Sequence, residues 1–438
     1  MLLRVSLMLA FAAAKAGYSQ VDPSAIGPPV IPDEMQTPHP VSGEPYPNVT
    51  ISETRSNYLE AGIDIETAYD DNVLANESIA PVHDTDYSIK PAIELDRTTP
   101  RIHEAITYSP IFTLYEHTSA RNESDQDVLA SFSCHLSTHV AMSTRDTLHK
   151  STNILNQPLG VINGSMQFST EGIVAPFADM LSNEANAGLT YQFKANGMIG
   201  ADGATTLTHY HNQAIASGLY DSTSRSGSGF CDHRLSVTQY IGEIYQYTWM
   251  TASSVNANSI TQTHAIYSFY SLILRMTISM SMAAGPQYVI AAQSTLLDIR
   301  SWKPAVIASI GWQKRYTNLA ASYSRTITGN GGLLGAFNTT NAQANARWQL
   351  TRTWTLGSAA SYMLSKNVDS VASSSNPGGH SISGTISAEH GIAEHFKAEI
   401  GYMRLHQSYR SISVISNRPD SDRAYIALSY VFEKPTGK

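Results

Sequence analysis

Apolar and polar residues alternate with a period of two along most of the chain after Asn57. In the first clear run, Leu59, Ala61, Ile63 and Ile65 alternate with glycine or acidic residues. Successive side chains of a β-strand point to opposite faces, so each such run has one apolar and one polar face. The pattern therefore predicts an all-β protein, although alternation alone suits a soluble sandwich as well as a closed barrel.

The spacing of the alternating runs predicts about eighteen strands, with sixteen as the alternative. The predicted strands are 57–69, 86–96, 102–116, 126–136, 140–150, 182–193, 197–210, 223–235, 239–250, 260–272, 277–290, 301–312, 317–328, 338–350, 353–366, 379–391, 396–408 and 421–432. Short turns follow the even-numbered strands and longer connections follow the odd-numbered ones, the longest being 151–181. Short turns at one end, long loops at the other and an even strand number are typical of outer-membrane barrels.

Aromatic residues recur at both ends of the predicted strands. Trp302 and Trp312 begin and end the apolar stripe of one strand, and Trp354 and Tyr362 do the same in another. Ten residues of strand, tilted as in a barrel, give about 25 Å of height, which matches the apolar band of a membrane barrel with its aromatic girdles. The residues predicted to form the girdles are Trp302, Trp312, Trp348, Trp354, Tyr362, Tyr430 and Phe432. The fold class that follows is a closed antiparallel transmembrane β-barrel.

The N-terminus has the features of a secretory signal peptide. Arg4 precedes the apolar run Val5–Ala14, and small residues near positions 16 and 19 offer two cleavage sites. The apolar run is too short to span a membrane, so residues 1–19 are expected to be removed on export. Residues 20–56 are rich in proline, which predicts a disordered periplasmic leader. The barrel is predicted over 57–432, with a short tail at 433–438.

Bulk composition agrees with an exported membrane barrel. Charged residues make up 15% of the 438 residues, against about 25% in soluble proteins. Outside the N-terminus no run approaches the ~18 apolar residues of a membrane helix. The formal net charge of −8 provides no basic footprint for nucleic acid.

The polar face of the strands carries charges of both signs, which a dry core would not tolerate. A water-filled lumen removes that cost, and barrels of sixteen to eighteen strands leave such a channel unless they are plugged. The residues predicted to line the lumen are Glu60, Asp64, Glu66, Lys90, Glu94, Arg145, Asp202, Lys303, Arg347, Glu389, Lys397 and Glu399. Because both signs occur, strong ion selectivity is not expected.

No catalytic residue, metal site or cofactor is predicted. His209 and His211 share one strand face but have no third ligand at a recognisable spacing. Ser137-Thr138-His139 and Asp232-His233 contain the residue types of a hydrolase without a nucleophile motif. Gly329–Gly335 has no following Lys-Ser/Thr pair, so it is read as a flexible loop. Cys134 and Cys231, far apart in the chain, are interpreted as small packing residues and not as a disulfide.

The whole pattern resembles the poorly characterised porin-like outer-membrane β-barrel families of environmental bacteria. The resemblance rests on the signal peptide, the first strand running into Tyr69-Asp70-Asp71-Asn72-Val73, the repeated hairpins, and the ending Tyr430-Val431-Phe432. That ending is similar to the aromatic signal read by the outer-membrane assembly machinery, although six residues follow it here. The resemblance implies an outer-membrane location, with lipids and that machinery as partners, and it allows a link to exopolysaccharide export.

The predicted function is an outer-membrane channel for passive passage of small polar solutes, with both termini periplasmic. The alternative is a structural or export-partner barrel with an occluded lumen. A hydrolase carried on a barrel is the less favoured third reading. The sequence leaves the oligomeric state open.

Overall fold

In the computed structural model the described part of the chain is almost entirely β-strand. The described residues are Met35, 57–74, 81–151, 161–162, 165–166, 179–211, 220–253, 258–274, 277–293, 298–329, 335–368, 378–409 and 420–436. The predicted signal peptide, the leader apart from Met35, and most of the predicted loop 151–181 lie outside them. Within the described ranges, no helix has the length and apolar character needed to cross a membrane.

The described strands number twenty. They are β1 (Tyr58–Asp70), β2 (Asp84–Thr98), β3 (Ile102–Tyr115), β4 (Glu123–His135), β5 (Val140–Ser151), β6 (Val161–Ile162), β7 (Ser165–Met166), β8 (Met180–Lys194), β9 (Gly197–Tyr210), β10 (Asp221–Ser236), β11 (Gln239–Ser253), β12 (Asn258–Leu274), β13 (Ile278–Gln293), β14 (Ile299–Lys314), β15 (Thr317–Thr328), β16 (Phe337–Gln349), β17 (Trp354–Asn367), β18 (Gly379–Gly391), β19 (Phe396–Tyr409) and β20 (Asp420–Pro435). A 3-10 turn, Ser119–Arg121, follows β3.

Eighteen of these strands form one closed antiparallel barrel, which confirms the predicted fold class and strand number. Each barrel strand pairs with its neighbours in the chain, and β1 closes the ring by pairing with β20, from Tyr58 opposite Pro435 to Asp70 opposite Arg423. The predicted strand bounds differ from the observed ones by three residues at most. Closure removes the sheet edge, so backbone donors and acceptors along the wall are paired within the sheet.

The two rims of the barrel differ in the length of their connections. At one rim the strands are joined by turns of two to four residues, such as 195–196 and 315–316, and we call this the short-turn rim. Longer connections join the strands at the opposite rim, which we call the loop rim. The longest of them contains the small β6–β7 hairpin. The exception is 254–257, which has four residues although it lies at the loop rim. The barrel begins and ends at the short-turn rim, because Tyr58 is paired with Pro435.

Candidate functional site in the barrel wall and lumen

The outward face of the wall is apolar and exposed. Ile63, Ile65, Ile93, Ile400 and Ile426 are among the large hydrophobic residues exposed on it. Their cross-strand neighbours belong to the same face, for example Ile65 opposite both Ile89 and Leu428. A continuous apolar surface of this extent on a folded protein requires an apolar environment.

The seven aromatic residues predicted as girdles all lie on this outward face and are exposed. Trp312, Trp348, Trp354, Tyr430 and Phe432 lie towards the short-turn rim. Trp302 and Tyr362 lie towards the loop rim, where Trp302 contacts Tyr288 with ring centroids 4.9 Å apart. The outward face therefore has aromatic side chains near both of its edges.

The predicted lumen residues all occupy the opposite face of their strands. Strand register aligns Asp64 with Lys90, Glu60 with Glu94 and Glu389 with Glu399. Asp202 is aligned with Ser228, whose hydroxyl donates to the Asp202 carboxylate at 2.7 Å. Arg145 and Lys303 lie on other parts of the wall, opposite Asn186 and Gln287 respectively.

A buried ion-pair cluster spans the strands at which the barrel closes. The guanidinium of Arg423 on β20 lies 2.9 Å from Glu66 on β1 and 3.0 Å from Asp86 on β2. Glu66 is also bound by the Lys90 ammonium at 2.6 Å. Asp70, on the same face, accepts a hydrogen bond from Ser421 at 2.9 Å. We call these five charged residues the seam cluster.

Acidic side chains dominate the inward face around this cluster. The inward acidic residues of β1, β2 and β20 are Glu60, Asp64, Glu66, Asp70, Asp84, Asp86, Glu94, Asp96 and Glu433, and the inward basic residues there are Lys90 and Arg423. The inward charges are thus not evenly mixed around the ring. Sequence reasoning omitted Arg423 and Asp86, although the alternation of the last strand places Arg423 on the face opposite Ala424.

A small polar niche lies further round the wall, on β15 to β19. It has a volume of about 60 Å³ and is lined by Arg347, Glu389 and Glu399 together with Asn318 and Asn345. Lys397 lies 3.5 Å from Glu389, and the Tyr425 hydroxyl donates to Glu399 at 2.8 Å. The structure therefore brings four of the predicted lumen residues into one group.

Opposite the seam cluster, groups of large apolar side chains lie among the polar residues of the inward face. Tyr267 and Phe269 of β12 expose only 3% and 2% of their surface and pack with Ala265, Ala283 and Ala305. Met198, Phe230 and Tyr240 continue this surface towards the short-turn rim. We call these eight apolar residues on the inward faces of β9 to β14 the apolar arc. The apolar–polar alternation of these strands is visible in the sequence, but only the order of strands around the ring places the apolar arc opposite β1 and β2.

The other residues considered as candidate chemistry make local contacts where they are described. Ser137 Oγ accepts the backbone N–H groups of His139 and Val140 and so stabilises a turn. His209 pairs with Asp221 at 2.8 Å. Adjacent strand residues point to opposite faces, so Asp232 and His233 do not meet. No group of three His, Cys, Asp or Glu that could hold a metal occurs in the part of the chain that the structure describes.

Cys134 and Cys231 are both free and lie on strands β4 and β10. Cys231 is exposed on the outward face, so its side chain contacts the surroundings of the barrel and does not fill a core as the sequence had suggested.

An exposed apolar outer face edged by aromatic residues, a closed sheet and a charged interior together define a transmembrane β-barrel.

No family model matches this chain, and no curated protein matches it. Among solved structures, the chain is similar to the unliganded ferric citrate transporter FecA at 10% identity and a TM-score of 0.43, covering 85% of this chain and 64% of the transporter. It is also similar to OccK2 (OpdF) of Pseudomonas aeruginosa, at 9% identity and a TM-score of 0.43, over 87% of this chain and 100% of that one. OccAB4 of Acinetobacter baumannii matches at 7% identity and a TM-score of 0.41, over 88% and 100% respectively.

Proposed function

We propose that this protein is an outer-membrane channel of a bacterium that lets small polar solutes pass through its lumen. The observation that carries the proposal is that the two faces of the barrel wall differ in polarity. The outward face exposes Ile, Leu and aromatic side chains, whereas the inward face carries charged groups such as Lys397 and Glu389, whose side chains expose 49% and 31% of their surface. Charged groups on an inward face are stable where water reaches them, and a ring of eighteen strands is wide enough to admit it.

The distribution of inward charge adds a preference to this function. Acidic residues outnumber basic ones on β1, β2 and β20. A wall that is negative on one side raises the local concentration of cations relative to anions. We therefore propose a weak preference for cations and for polar solutes with a positive group.

Single-channel recording in a planar bilayer tests the proposal. The folded protein is expected to give discrete conductance steps, and a KCl gradient is expected to give a reversal potential of the sign for cation preference. The combined variant Glu60→Gln, Asp64→Asn and Glu94→Gln should move that potential towards zero, because it removes three inward carboxylates.

The control is Glu394→Gln, which removes one carboxylate from an exposed turn at the short-turn rim. It should leave the reversal potential unchanged. A folded protein that stays electrically silent at every voltage would remove the channel and favour the alternative, an export-partner or structural barrel with an occluded lumen. Hydrolysis of lipid or peptide by the purified barrel would instead favour the enzyme reading.

A further inference from the structure

One residue of the N-terminal leader lies inside the barrel. Met35 exposes only 6% of its surface and packs with Met198, Phe230 and Tyr240. Its backbone N–H donates a hydrogen bond to the side-chain Oε1 of Gln192 at 3.0 Å. These partners come from four consecutive strands, β8 to β11, so the contact is made with the wall and not with a loop.

All the partners of Met35 belong to the inward face. Gln192 is opposite Met198 in register, Phe230 is opposite Gly200, and Tyr240 is opposite Arg234. The outward residues that alternate with them, such as Ile199 and Ile241, are exposed on the other side of the wall. Met35 therefore occupies the lumen, at the short-turn end of the apolar arc.

The apolar surface formed by Met198, Phe230 and Tyr240 is chemically suited to a methionine side chain. Burying a methionine side chain away from water is favourable, and its flexible thioether adapts to the irregular surface between two aromatic rings. The bond to Gln192 satisfies the backbone N–H, which would be costly to leave unpaired away from water.

The chain is also long enough to reach this place from the barrel. Met35 is 22 residue steps before Asn57, where the described barrel begins at the short-turn rim. At roughly 3.3–3.6 Å per residue those steps reach about 70 Å or more, which exceeds the width of a barrel of this size.

We infer that the short-turn end of the apolar arc is a docking site for the chain's own N-terminal leader, which is held there through Met35. The site explains why Met198, Phe230 and Tyr240 form an apolar surface inside the barrel, where the inward face across the lumen, on β1, β2 and β20, is charged. If the protein is the channel proposed above, Met35 docked at this site narrows the pathway at this level, a consequence that rests on the proposed function.

Cysteine cross-linking in the full-length folded protein tests the docking. Cys134→Ser and Cys231→Ser give a cysteine-free background, and Met35→Cys is then combined with Met198→Cys or, in a second protein, with Tyr240→Cys. A short bismaleimide should link both pairs within the chain, because docking raises the effective concentration of the two thiols. The linked product is detected as a band of altered mobility after unfolding.

The matched control combines Met35→Cys with Ala105→Cys, which lies on the inward face of β3 near the same rim. We expect on the order of ten-fold less product from this pair. Folding is checked for every protein by its heat-dependent mobility on a gel. Equal linkage to Ala105 and Met198, or linkage to neither Met198 nor Tyr240 in folded protein, overturns the inference.

Conductance separates this inference from the proposed function. Met35→Asp should weaken docking, because it places a charge against two aromatic rings, and should raise single-channel conductance above that of the unaltered chain. If every folded variant is silent, the channel is wrong, while the cross-linking result still decides whether the leader docks. Linkage without any change in conductance on Met35→Asp supports docking and limits its role to anchoring the leader.

Discussion

Arg423 is the central residue of the seam cluster. Its side chain exposes 5% of its surface, and it is bound by carboxylates on two other strands. A buried charge is tolerated only when its partners compensate for the loss of water. Arg423 therefore ties β20 to β1 and β2 at the point where the ring closes.

We expect Arg423→Ala to lower the free energy of unfolding by about 3–5 kcal/mol, because Glu66 and Asp86 lose a shared counter-charge. Urea unfolding in detergent, followed by gel mobility or tryptophan fluorescence, measures the change. The matched control is Arg404→Ala, which removes an arginine paired with Asp422 at 3.4 Å on the exposed outer face. This variant should leave the unfolding midpoint unchanged.

A triple variant distinguishes charge compensation from loss of packing. Arg423→Met combined with Glu66→Gln and Asp86→Asn removes the cation together with both carboxylates, so most of the lost stability should return. If Arg423→Ala is no more harmful than Arg404→Ala, the seam cluster does not stabilise the closure.

In the apolar arc, a glycine on one strand makes room for a large aromatic ring on the next strand. The ring of Phe269 on β12 lies over Gly242 on β11, where an added Cβ atom would stand 2.6 Å from Phe269 Cε1 and 2.4 Å from the carbonyl oxygen of Cys231. The same arrangement places Tyr425 over Gly401. Glycine at such a position lets a large ring lie flat against the wall.

Gly242→Ala is expected to destabilise the barrel by about 1–3 kcal/mol, because either the ring or the strand must move. The comparison is Gly229→Ala on β10, where the nearest atom to an added Cβ is 3.9 Å away. That substitution should cost less than Gly242→Ala in the same unfolding measurement. Combining Gly242→Ala with Phe269→Ala should cost less than the two single changes together, since both act on one contact; strict additivity would show that the ring does not depend on the glycine.

The barrel as a whole has a direction, because its rims differ. The termini of the sheet and the short turns share one rim, and the long connections share the other. In outer-membrane barrels the short turns face the periplasm and the long loops face outward. We therefore predict that both termini of this barrel are periplasmic.

Epitope tags on intact cells test this orientation. A tag near Gly164, in the longest connection and outside the described residues, should be reached by antibody. A tag beside Lys314, at the end of β14 on the short-turn rim, should be reached only after the outer membrane is permeabilised. The reverse labelling pattern would place the long loops in the periplasm.

The amino-acid sequence by itself determined the strands and their two faces. Period-two alternation is a local property, so runs such as Leu59 to Ile65 indicate both the element and the side that faces apolar surroundings. The inward position of residues as separate as Glu66 and Lys397 follows from the same parity. The connection lengths then indicated an even number of strands and a barrel with two unlike rims.

The tertiary structure decided which residues meet across the ring. Arg423 binds Glu66 although 357 residues separate them, and no local pattern encodes a pairing made only when the last strand meets the first. Ring closure likewise places the apolar arc opposite the acidic seam. The position of Met35 could not be predicted from the sequence for the same physical reason. A proline-rich segment has no apolar–polar alternation, and the partners of Met35 come from four strands that only folding brings together.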